Sequence, residues 1–218
     1  MSATAITRRH VVMAQHWYDS KYVFCDTNGI SHVRNIVEWH QVPDTDLLLG
    51  RLNEDLPPTI TIPKILPADY SEHLFKGMYL PVVCVTDDKS ASITELAELN
   101  CSQRASVGGG RVVTYFNLGS TASTNRVSAA RSRIRFSTIE GNSGSPVFLI
   151  AGNRLVFLFS KHLGSETPGA RPRYWGPLAS HHLEKIQRVI NTWEGANANL
   201  YLLDLLPLEP FDRVEQNE

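Results

Sequence analysis

An all-β fold closed by one C-terminal helix is what this sequence predicts, on three observations. Short runs rich in β-branched and aromatic residues recur along most of the chain, the composition of half-buried strands. Turn signals separate those runs, such as Thr27-Asn28-Gly29 and Pro43-Asp44. Only late in the chain does the apolar period become helical: Leu178, Leu183, Ile186, Val189, Ile190 and Trp193 fall on one face.

Taken in order, residues 10–14, 21–25, 31–40 and 46–52 form a first set of expected strands. A proline-containing stretch over 56–67, followed by 68–75, reads as a connection. A second set follows at residues 79–86, 93–99, 111–117, 131–136, 146–150 and 155–162. The helical pattern covers 178–193, and the Asn-rich, then Leu-rich residues beyond it read as an extension. There is no internal repeat.

Composition narrows the function classes. With 218 residues, 42% of them hydrophobic and 20% charged, the chain can bury a sizeable core. A net charge of −1 gives no electrostatic case for nucleic acid or an anionic membrane as partner. No apolar run approaches the roughly 18 to 20 residues that span a bilayer. Residues 1–6 lack the basic start and apolar core of a signal peptide. Cys25, Cys84 and Cys101 are scattered, without metal-ligand spacing. At most one disulfide can form among them, and buried free thiols are expected.

The segment with chemical content is Gly141-Asn142-Ser143-Gly144-Ser145-Pro146, between the expected strand 131–136 and the apolar run 147–151. A serine so flanked has little packing value. The turn suits a backbone that must expose a hydroxyl and aim peptide N–H groups at an oxygen, as acyl transfer requires. By itself the segment also reads as a plain hairpin turn. Two further residues bear on the choice. His16 closes the apolar stretch Val11-Val12-Met13, and Asp46 opens Asp46-Leu47-Leu48-Leu49. Separately, His16 reads as a structural histidine and Asp46 as a turn residue after Pro43, with Asp44 its nearest rival. Together they give the chain order His, Asp, Ser, which is that of the two-barrel peptidases and not of subtilisin or the α/β-hydrolases.

In these three segments the sequence resembles the trypsin-like, chymotrypsin-fold serine peptidases. That family has a segment of the type Ser-Pro-Arg-His-Val-Leu-Thr-Ala-Ala-His; here stands Thr7-Arg8-Arg9-His10-Val11-Val12-Met13-Ala14-Gln15-His16. Its aspartate begins Asp-Ile-Ala-Leu-Leu-x-Leu, against Asp46-Leu47-Leu48-Leu49-Gly50-Arg51-Leu52. Its serine lies in Gly-Asp/Asn-Ser-Gly-Gly/Ser-Pro, matched from Gly141 to Pro146. The resemblance runs from about residue 2 to about residue 193, and is nearest to bacterial trypsin-like peptidases of unknown substrate.

The resemblance implies two six-stranded Greek-key β-barrels with the active site in their cleft. It divides the chain into a first barrel over residues 1–66, a connection over 67–76, a second barrel with the terminal helix over 77–194, and an extension over 195–218. In the family a strand precedes the segment that residues 2–6 resemble, so an incomplete first barrel, or a fragment of a longer chain, is expected. A secreted or periplasmic setting is the family's usual one.

The implied chemistry is hydrolysis of peptide bonds in a polypeptide substrate, with no metal and no organic cofactor, since side chains and water suffice. A serine hydroxyl is a poor nucleophile until a base takes its proton, the role implied for His16. Asp46 would fix the imidazole tautomer and stabilise the imidazolium. The backbone N–H groups of Gly141 and Ser143 would form the oxyanion hole. Ser137, six residues before the nucleophile, would line the primary pocket; being neutral, it offers no partner for a cationic side chain. Ser160, Lys161 and His162 would belong to the strand that pairs with substrate backbone, and His162 with Leu163 would narrow the pocket. Otherwise His10, His32, His40, His162, His181 and His182 read as structural or solvated.

Two departures matter. Asn142 stands where activated family members carry the Asp that pairs with a new N-terminus, and an amide cannot make that ion pair. Trp17 replaces a half-cystine common in secreted animal members. Two rival functions follow from the same residues. One is an inert relative that binds peptides by strand addition along residues 159–162. The other is an α/β-hydrolase esterase, which wants Gly-x-Ser-x-Gly, where position 145 is Ser, and its catalytic histidine after the serine, where the candidate His16 precedes it.

Overall fold

Two strands buried on both faces organise the first half of the molecule. The computed structural model describes residues 1–70, 80–85, 91–96, 104–107, 111–114, 143–151, 154–160, 176–195 and 198–204. Strands β1 (Ala3–Ala5), β2 (His10–Ala14), β3 (Lys21–Cys25), β4 (Ser31–Gln41) and β5 (Leu47–Leu52) form one antiparallel sheet in the order β1-β2-β5-β4-β3. Three hairpin-linked strands followed by a return beside β2 is a Greek-key arrangement. Every residue of β2 is buried, and so is all of β5 except the half-buried Arg51. Successive side chains of a strand point to opposite faces. In β2, Val11 and Met13 enter one core with Tyr22, Ile36, Leu48 and Leu52. Val12 enters the other, with Leu47 and Leu49. Burial on both faces is why these strands read as continuous apolar runs.

Strand β4 serves two partners. Its first half pairs with β3 and its second with β5, and the register shifts between Ile36 and Glu38. A bulge of this kind bends and twists a long strand, which lets one strand turn the corner of a curled sheet.

A second sheet has the order β6-β12-β11-β7-β8, from β6 (Lys64–Ile65), β7 (Leu80–Val85), β8 (Ala91–Leu96), β11 (Pro146–Ala151) and β12 (Arg154–Ser160). A separate hairpin joins β9 (Arg104–Val107) to β10 (Arg111–Thr114). Strand β6 runs parallel to β12 over Val156↔Lys64 and Phe157↔Ile65. Its other edge holds the C-terminal segment: Ile65 N–H donates to Tyr201 O at 2.8 Å and Leu203 N–H to Ile65 O at 2.9 Å.

Helix α1 (Leu183–Glu194) follows a 3₁₀ turn (Ala179–His182). Its apolar stripe of Ile186, Val189 and Ile190 packs in one cluster with Val12, Leu47 and Leu49 of the first sheet and Ile65 and Phe157 of the second. The resemblance implied a helix packed on the second barrel; here it also seats against the first. At its end Trp193 stacks on the buried His10 ring at 5.6 Å, and Glu194 meets Arg51 Nε at 2.8 Å.

The described residues therefore form an all-β fold with a short C-terminal helix, as the sequence predicts. Sequence reading did not anticipate β6 and β9. The expected strand 131–136 lies outside the described residues. Cys84 is buried; Cys25, expected buried, is exposed because it faces outward from β3.

Candidate active site

Sheet register brings His16 and Asp46 together. Strand β2 ends at Ala14, whose partner is Leu47, the first residue of β5. The residues just past these two ends are therefore neighbours, and Gln15 N–H donates to Asp46 O at 2.8 Å. The chain then tightens into a turn in which Trp17 N–H reaches Ala14 O at 3.2 Å. His16 sits at its tip.

Asp46 holds that histidine at two points. Its Oδ1 accepts the His16 backbone N–H at 3.1 Å, and its Oδ2 lies 2.6 Å from His16 Nδ1. A carboxylate only accepts, so Nδ1 carries the donated hydrogen and Nε2 is the basic nitrogen of the neutral ring. The carboxylate is buried, whereas the imidazole is about one-third exposed.

The turn before β5 keeps Asp46 in place. Thr45 Oγ donates to Val42 O at 2.8 Å and accepts Leu47 N–H at 3.0 Å. Gln41 Nε2 donates to Thr45 O at 2.9 Å. Asp44, the rival carboxylate, is exposed and takes the left-handed turn position with φ of 61°, a conformation Asp tolerates better than most residues. Nothing in the sequence singled out Thr45 for this supporting role; a short polar residue between two aspartates is its only signal.

Ser143 lies in the turn that leads into β11, and 5% of it is exposed. The next residue, Gly144, has φ of 86°. A Cβ on it would stand 2.7 Å from Ser2 O and 3.4 Å from Ala14 N. Ser145 Oγ donates to Ser2 Oγ at 3.3 Å. The serine-bearing turn is thus pressed against the end of β2, two residues before His16. Ser2 is a support that the sequence reading missed.

Ser160 ends β12 opposite Pro146, the residue that opens β11. It is buried, and its hydroxyl has no hydrogen-bond partner among the described residues. Gly176 passes so close to Ser160 O that no side chain fits there. Gly141, Asn142, Ser137, Lys161 and His162 lie outside the described residues. Among the described residues, no group of three or more His, Cys, Asp or Glu side chains is arranged to hold a metal ion, and no helix is long and apolar enough to cross a membrane.

The other histidines occupy distinct settings. Burial brings His10 down to about 4, against the pull of Glu194 and with the help of Arg51 and Arg9. Burial also lowers His182 to about 4 and lowers His181, whose Nε2 lies 3.1 Å from Tyr70 Oη. His32 pairs with Asp26 at 3.2 Å across the β3–β4 turn. None of these joins the His16–Asp46 pair.

No family model matches the sequence, and no curated protein matches it either. Among solved structures the fold is similar to the NS6 protease from murine norovirus 1, with a TM-score of 0.48 and 13% sequence identity, covering 81% of this chain and 84% of that one.

Proposed function

We propose that this chain is a serine endopeptidase in which Ser143 is the nucleophile, His16 the general base and acid, and Asp46 the residue that orients the imidazole. The observation that carries the reading is the double grip of Asp46 on His16 beside a serine turn packed onto Ala14. What supports it is that His16 and Asp46 are in contact and that Gly144, the residue after Ser143, lies against Ala14, two residues before His16.

In the proposed reaction Ser143 Oγ attacks the carbonyl carbon of the scissile bond as its proton passes to His16 Nε2. The Gly141 and Ser143 N–H groups stabilise the resulting oxyanion. Collapse breaks the C–N bond, and the departing amine takes the proton from His16. A water molecule, deprotonated by the same nitrogen, then hydrolyses the acyl-enzyme and frees Ser143. Ser137 lines the pocket for the residue before the cleaved bond and, being neutral, favours an uncharged side chain there. The strand end at Ser160, with Lys161 and His162, pairs with the substrate backbone. The triad draws its base and orienting residue from residues 1–66 and its nucleophile from residues 77–194.

A second reading has one observation in its favour. Ser143 is largely buried, as it would be in an inert relative that binds an extended peptide by strand addition. Labelling with a fluorophosphonate separates the two. The peptidase reading expects a covalent adduct on the wild-type chain that disappears in Ser143→Ala. A wild type that takes no label under conditions where trypsin is labelled leaves the inert reading in possession.

A further inference from the structure

We infer that Trp17, Tyr18 and Trp39 form a wall that receives an apolar side chain from the departing half of the polypeptide substrate. The inference rests on the peptidase reading and names what that site selects beyond the cleaved bond.

The three rings are 42%, 43% and 46% exposed, among the larger apolar side chains left in solvent. Single exposed aromatics need no explanation, but a contiguous group marks a binding surface. Two of these rings are in contact, and the third adjoins them in the chain. Tyr18 and Trp39 meet with ring centroids 5.8 Å apart at a tilt of 57°, and Trp17 and Tyr18 follow His16 directly in the chain.

Two backbone features hold the group in position. Trp17 is fixed by its bridge to Ala14. Trp39 is held by the β4–β5 ladder, where it lies opposite Gly50. Exposed rings on fixed backbone lose little freedom when a ligand covers them, which is why aromatics dominate binding hot spots.

The mechanism decides which part of the substrate arrives there. The departing amine takes its proton from His16, so the fragment carrying that amine leaves on the imidazole side of the cleft. The wall begins one residue past His16. A side chain close behind the new amine therefore meets Trp17, Tyr18 and Trp39, and an apolar one gains most by covering them.

The test uses internally quenched peptides that differ only in the first two residues after the cleaved bond, Leu or Phe in one series and Gly or Asp in the other. The quantity read is the ratio of kcat/KM between the series within one enzyme preparation, from which the fraction of active enzyme cancels. The wild type is expected to prefer the apolar series by about tenfold or more, the usual range for apolar pocket contacts. Trp39→Ala and Trp17→Ala should each bring the ratio towards one. A wild type labelled at Ser143 whose ratio is already near one overturns the inference and leaves the peptidase reading intact. So does a tenfold ratio that survives in both variants. A wild type that takes no fluorophosphonate overturns the peptidase reading and this inference with it.

Discussion

Asp46 grips His16 twice, through the ring at 2.6 Å and through the backbone N–H at 3.1 Å. The first bond selects the tautomer; the second fixes where the imidazole starts from. Both follow from the register in which Ala14 faces Leu47, so the pair is built by the β2–β5 ladder and not by a flexible loop.

That relationship makes Asp46→Asn more informative than its size suggests. An amide of the same shape can donate as well as accept, so it can pin the ring in the other tautomer with the proton on Nε2. If the pair serves catalysis, turnover should fall by about 10⁴-fold, the loss known for this change in a triad, while circular dichroism stays that of the wild type. A variant within about threefold of wild-type turnover would remove Asp46 from the mechanism.

Gly144 is the position where backbone and site coincide. Its φ of 86° and the 2.7 Å between a would-be Cβ and Ser2 O leave an alanine both strained and crowded. Gly144→Ala should cost on the order of 1–3 kcal/mol, read as a lower urea midpoint. It should also slow labelling of Ser143, because relief of the contact moves the turn away from Ala14. Unchanged midpoint and labelling rate would show that the turn does not need its present seat.

Much of this was legible in the sequence, and the reasons differ by element. The limits of β2, β3 and β5 matched their apolar runs nearly residue for residue, since short apolar runs between turn residues have few other places to go. The helical stripe was equally plain in its spacing. Its destination was not: that Ile186 meets Val12 and Leu47 depends on how the two sheets lie together, which no local pattern encodes. Strand β6 pairs over only two residues, too few for an alternation to register. At the site, the order His16, Asp46, Ser143 was visible, but the choice of Asp46 over Asp44 was open. Structure shows the reason, since the turn uses Asp44 for its left-handed position and leaves Asp46 facing the histidine.

Because α1 is wedged between the sheets, its core residues should count for the whole molecule. Ile186 is fully buried among side chains of both sheets. Ile186→Ala deletes methyl groups from a core with no ready way to collapse, and a loss of about 2–5 kcal/mol is expected from the denaturant midpoint. Half-buried Gln187 next to it serves as the comparison: Gln187→Ala loses hydrogen bonds to Asn191, Ala198 and Leu200 but leaves no core cavity, and should cost about 1 kcal/mol. Equal losses from the two would mean the helix is not seated in the shared core.

Stability should also carry a histidine signature. His10 is buried beneath Trp193, with Thr7 Oγ 2.7 Å from its Nδ1 and Glu194 Oε1 3.6 Å from its Nε2, an ion-pair distance without hydrogen-bond geometry. Burial brings it to about 4, despite Glu194 and Asp55 and with Arg51 and Arg9 adding to the fall; burial with Lys185 and His181 does the same for His182. In the unfolded chain both titrate near 6.5. Between about 6.5 and 4 the unfolded state therefore binds more protons, so stability is full above 6.5 and falls as pH drops through that window. Asp26 works in a lower one. Its burial is outweighed by bonds from the Ile30 N–H, His32, Thr59 and the Asn28 N–H, which hold it at about 2, so its contribution is lost only below its ordinary 3.8. Melting temperatures measured from pH 7 to pH 4.5 should fall steadily, and His10→Asn should make that fall shallower while lowering the value at pH 7. A wild-type melting temperature that stays flat from pH 7 to 5, or a variant with the wild-type slope, would mean that His10 does not stay neutral in the folded protein.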